Sequence, residues 1–161
     1  MGACGVEWAV ELVECGDLVQ DADESGSQEE AERRWNRYVE LVDAVTGAEG
    51  PAGAAALVAS LRAAQDYGAY QATYAALQQF PPQVLGEGIA GAAQQLLTIP
   101  SDNAGIVLML LAKTGEGAVS AFDAALAADV RERVRDLVAE HEAGEWLSED
   151  RGVVTVSGGP A

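Results

Sequence analysis

Apolar positions along this chain recur mostly at intervals of three and four, the spacing that gathers side chains on one face of an α-helix. Trp8, Leu12, Cys15 and Val19 share such a face in a segment from about Gly5 to Val19. Trp35, Tyr38, Val39, Val42 and Val45 form the stripe of a second helix, and Leu57, Val58 and Leu61 mark a third. Tyr67, Tyr70, Tyr74 and Leu77 give the inner face of a fourth. A fifth carries Val84, Leu85, Ile89, Ala92, Ala93 and Leu96 and stops before Pro100. The sixth is apolar all round from Ile106 to Leu111, which predicts a central position. Val119, Phe122 and Leu126 indicate a seventh. Val130, Val134, Leu137, Val138 and His141 indicate an eighth, ending near Gly144.

The polar punctuation agrees with that division. An acidic linker runs from Asp21 to Gly26, and Ser27 with Glu30 three residues later reads as a capping box opening the second helix. Gly47 to Gly50 closes it, and Pro51 stands where a first-turn proline belongs. Asp66 is placed to cap the fourth helix, and Ser101 or Asp102 the sixth. Phe80-Pro81-Pro82 forces a turn, because a proline pair cannot continue a helix. Only Gly152 to Val156 has clear β propensity, with no second strand to pair with. The prediction is therefore a single all-α domain over residues 1–147, with 148–161 a flexible, disordered tail. About eight short helices in antiparallel pairs would form either a degenerate HEAT-like arc or an irregular helical bundle.

Composition refines this picture. Of 161 residues, 49% are hydrophobic and only 6% aromatic, so the core must be built from close helix contacts with few large anchors. The net charge of −17 opposes binding to nucleic acid or to an anionic membrane surface and favours a basic partner. The N-terminal residues lack the basic and apolar regions of a signal peptide, and Ala104 to Ala112 is too short to span a bilayer. Cys4 and Cys15 lie about three helical turns apart, too far to bond within one helix. Reduced thiols and a cytoplasmic location are expected.

Three motifs suggest chemistry and fail on context. Gly86-Glu87-Gly88-Ile89-Ala90-Gly91 fits G-x-G-x-x-G, but a dinucleotide site needs a strand before it and an acid about twenty residues on. Pro81 and Pro82 precede it and Ile106 stands at the acid's place, so close helix packing is the expected role. Ser101-Asp102-Asn103 and Lys113-Thr114-Gly115 match two boxes of penicillin-recognising serine enzymes. The nucleophile box S-x-x-K is missing, because Lys113 is the one lysine and Leu110 stands three residues before it. His141 is the single histidine, which excludes a two-histidine metal site. No catalytic, cofactor-binding or metal-ligating residue is predicted.

The carboxylates carry the remaining signal. No basic residue occurs before Arg33, while Glu7, Glu11 and Glu14 share a helical face and Asp17, Asp21, Asp23, Glu24, Glu29 and Glu30 extend the field. Like charges this close repel one another, so these nine residues are the candidate surface for a partner's Arg and Lys. A plain solvated face is the competing reading. Glu140, Glu142, Glu145, Glu149 and Asp150 form a smaller second cluster.

Gln65 to Leu77, QDYGAYQATYAAL, running into Phe80-Pro81-Pro82, resembles the helical immunity proteins of bacterial polymorphic toxin systems, in particular the family called immunity protein 30. Ala121 to Leu126 is similar to the next helix pair there, and the likeness spans about Leu57 to Glu140. The resemblance implies a non-enzymatic protein that sequesters a cognate toxin inside the producing cell, with no catalytic residue to carry over. A strong negative field suits a basic toxin. A generic helical scaffold or adaptor is the alternative, and the alanine-rich faces leave a homodimer open.

Overall fold

The computed structural model describes residues 5–18, 28–64, 68–158. The fold is all-α, and no strand occurs among the described residues. The helices are α1 (Val6–Cys15), α2 (Gln28–Asp43), α3 (Gly50–Ala59), α4 (Ala69–Leu77), α5 (Pro82–Gly91), α6 (Ala93–Leu96), α7 (Ser101–Thr114), α8 (Glu116–Ala125) and α9 (Arg131–Ala143). A 3₁₀ turn, Ala128–Val130, leads into α9.

Packing arranges them in two rows. Along one row α1 packs on α3, α3 on α5 and α5 on α8; across it α2 packs on α4 and α7 on α9. Within a pair the chain reverses: Trp8 Nε1 donates to the Leu41 carbonyl at 3.1 Å, while Arg34, earlier in α2, reaches the carbonyl of Asp17 beyond the end of α1. Neighbours in the first row run parallel instead. Gly16 lies against Ser60, both at their helix ends, and Gly88 and Gly91 of α5 meet Ala54 and Ala55 of α3 in order. Parallel stacking of alternate helices is what antiparallel pairing of consecutive helices produces.

Glycines set the spacing of α5. A Cβ at Gly86 would overlap the Ala118 carbonyl oxygen and stand 2.8 Å from Phe122 N, both in α8. A Cβ at Gly88, on the other side of α5, would stand 2.8 Å from the Pro51 carbonyl oxygen and 2.5 Å from Ala54 Cβ. Backbone therefore touches backbone on both flanks, as the motif's second reading predicts. Gly91 contributes little, its nearest such neighbour lying 4.0 Å away.

The predicted fifth helix is two. Ala92 leaves the helical region at φ −99°, ψ 18°, and separates α5 from the single turn of α6. Beyond it, Leu96 of α6 is buried in the core. The expected Ser101 or Asp102 cap is also corrected. The N-cap of α7 is Pro100, with no side-chain cap hydrogen bond. Asp102 instead accepts from Trp146 Nε1 at 3.0 Å, and Asn103 donates to the Leu61 and Ala63 carbonyls at 2.9 Å each. Tertiary partners have taken the polar groups that a local cap would use. The Ser27 and Asp66 caps and Tyr67 lie outside the described residues.

A polar hub lies where the rows meet. Ser60 Oγ gives its one proton to the Leu57 carbonyl, so Tyr38 OH donates to Ser60 and accepts from Thr73. Tyr70 OH donates to the Gly16 carbonyl at 2.6 Å and accepts from Ala63 N at 2.8 Å. The two tyrosine rings meet edge to face, 5.7 Å between centroids.

The segment after α9 departs from the expected loose tail. Over its described residues it lies against α8 and α9, with Val154 buried and Val156 packed on the core. Ser157 donates to the Asp123 carboxylate from both its backbone N (3.0 Å) and its hydroxyl (2.7 Å). Arg135 reaches the carbonyls of Val156 and Ser157. Of the five residues with β propensity, Val154 and Val156 turn to the helices, and no sheet forms among the described residues.

Candidate interaction surface

Helical spacing gives α1 three strips. Trp8 and Leu12 point into the core; Glu7, Glu11 and Glu14 form the acidic strip; Val6, Val10 and Val13 lie along the third. The structure separates the predicted acids by role. Glu11 is held in a two-pronged pair by Arg37, Nε to Oε2 and Nη2 to Oε1, each 2.8 Å. Arg37 also pairs with Glu40 at 3.2 Å. The hydrogen bond from Arg37 is the main reason the Glu11 carboxyl titrates below its ordinary value, and it raises Arg37 in return. Asp17 faces Arg62 at 3.7 Å. Glu7, Glu14, Glu29 and Glu30 are exposed on the α1–α2 unit. Asp21, Asp23 and Glu24 lie outside the described residues.

The second acidic cluster is likewise partly committed to the fold. Glu142 accepts from Gly152 N at 2.6 Å, and Asp150 pairs with Lys113 at 3.1 Å. Asp123, which sequence reading passed over, anchors the C-terminal segment. Burial works to raise its carboxyl, but the Ser157 hydrogen bonds and then Arg131 (2.7 Å) outweigh it and hold the group below the usual carboxylate range. No local pattern could reveal that contact, because the two partners lie 34 residues apart.

His141 is 5% exposed, with Ser101 Oγ 3.5 Å from Nε2 and Gly105 close against the ring. Burial pushes the Cys15 thiol up, and the Glu11 carboxylate adds to the effect, so the group is a thiol at neutral pH. Cys4 lies outside the described residues. Among the described residues no three His, Cys, Asp or Glu side chains are grouped to hold a metal ion. Nor is any helix among them long and apolar enough to cross a membrane.

Two grooves flank α1. One, between α1 and α2, is lined by Glu7, Trp8, Glu11, Arg37 and Glu40. The other runs between α1, α3 and the α5–α6 junction, with a floor of alanines and glycine and Val10, Val13 and Glu14 on its α1 side. No family model, curated protein or solved structure matches the chain.

Proposed function

We propose that this protein binds and neutralises a basic protein toxin, as the resemblance to the helical immunity proteins implies. The observation that carries the reading is the exposure of Glu7, Glu14 and Glu29 on one helix pair of a chain with net charge −17. Such a field raises the encounter rate with a cation-rich protein and weakens as salt screens it. Binding of this kind asks for no catalytic group or cofactor. On this reading the protein acts in the cytoplasm of the producing cell, where a toxin of the same genome would act.

Co-expression with the protein encoded beside it tests the proposal. A stoichiometric complex that associates more slowly as salt rises, together with restored growth, is the expected result. Absence of both the complex and the rescue would overturn it. Capture of several unrelated, harmless proteins would favour the scaffold alternative.

A further inference from the structure

The acidic field explains attraction but not where a partner seats. We infer that the groove between α1, α3 and the α5–α6 junction is the docking site for an amphipathic helix of the partner, one bearing an apolar ridge edged by Lys or Arg. This deepens the reading of a basic toxin as partner and rests on it.

Shape is the first argument. The groove is open and shallow, about 420 Å³ in volume, and its floor is Ala52, Ala55 and Ala59 of α3 with Gly91 and Ala92 beyond. Side chains this small let a visiting helix bring large apolar groups close to backbone, the geometry of helix-in-groove recognition. The wall supplies the second argument. On this wall Val10 is 52% exposed, one of three exposed large hydrophobics among the described residues; Val6 lines the groove on the other flank of α1 and Val153 lies in the segment after α9. The fold does not need Val10 outside, because α1 is already anchored by Trp8, Leu12 and the Trp8 bond to Leu41.

Charge selects the occupant. Glu14 lines the groove, so an apolar surface has a carboxylate at its edge. A helix with cations beside its apolar ridge complements both features. A second copy of this chain would bring another net charge of −17 and its own Glu14 to the same edge. In the groove on the other flank of α1, by contrast, Glu11 and Glu40 already share Arg37.

The probe is a synthetic Leu/Lys peptide about four helical turns long, compared with a scrambled peptide of equal composition that has no apolar face. Amide shifts on titration should map to Val10, Val13, Ala55, Ala59 and Gly91 and persist at about 0.5 M NaCl, where exposed charges are largely screened. The exposed double variant Val10→Arg, Ala52→Arg should keep its helical spectrum and lose affinity about tenfold or more. Should that variant misfold, Gln95→Arg on the opposite rim gives the same reading. Shifts that scatter over acidic positions and vanish with salt would overturn the inference. Equal binding of the scrambled peptide, undiminished binding by the variants, or self-association abolished by Val10→Arg would do so too. The two proposals separate cleanly: a toxin complex indifferent to the variants removes the groove alone, and a seated peptide without any toxin complex removes the function alone.

Discussion

Polar side chains in this protein act mainly on distant parts of their own chain. Tyr38, Ser60 and Thr73 form one hydrogen-bonded relay through the core, and Asn103 joins α7 to the end of α3. Each such group is stable inside only because its partner is present, since an unmet buried donor or acceptor costs about 1–3 kcal/mol. Asp123 gives the sharpest test. Its carboxyl is depressed in the folded protein, so its contribution is full above the unfolded value of about 4 and disappears as pH falls through the lower folded value. Protection of the Ser157 amide, the exchange rate relative to that of an unstructured amide at the same pH, should therefore be high at neutral pH and fall in acid. Asp123→Asn should show little protection at any pH, and unchanged protection in that variant would mean the segment is held by other contacts.

Helix contacts depend on the absence of side chains as much as on their presence. The G-x-G-x-x-G letters were legible as packing glycines, but sequence could not say which were needed. Gly86 and Gly88 face backbone on opposite flanks of α5, whereas Gly91 has room. Gly86→Ala should lower stability by about 1–3 kcal/mol through overpacking. Gly91→Ala should raise it by roughly 0.5–1 kcal/mol, because a helix loses less backbone entropy with Ala. Urea denaturation of the two variants checks both, and equal effects would show that α5 and α8 are not in close register. The break at Ala92 was illegible because Gly91, a poor helix former, precedes it, yet Gly86 and Gly88 stand inside α5 without breaking it.

Charge belongs to the whole molecule. Among the described residues the ion pairs Arg37–Glu11, Arg37–Glu40, Arg62–Asp17, Lys113–Asp150 and Arg131–Asp123 are mostly partly exposed. Exposed pairs of this kind contribute little, because water and salt screen them. A net charge of −17 repels itself across the entire surface, and salt screens that repulsion. The melting temperature should accordingly rise from low salt to about 0.5 M NaCl. A fall would mean that the internal pairs outweigh the net repulsion. The same field that makes a basic partner attractive is thus a burden on the free protein.

Sequence alone determined the all-α class, because periodicity and turn residues act over a few positions and need no distant partner. It also determined the acidic excess, which is a property of composition. Tertiary structure alone decided which carboxylates remain outward: Glu11 turns to Arg37, Asp17 to Arg62 and Asp123 to Ser157, while Glu7 and Glu14 stay in water. It also decided that α1 sets Val10 beside an alanine floor and that Val156 and Ser157 lie on α8 and α9. Those outcomes join residues tens of positions apart, and no local pattern encodes which side chains will meet once the rows have stacked.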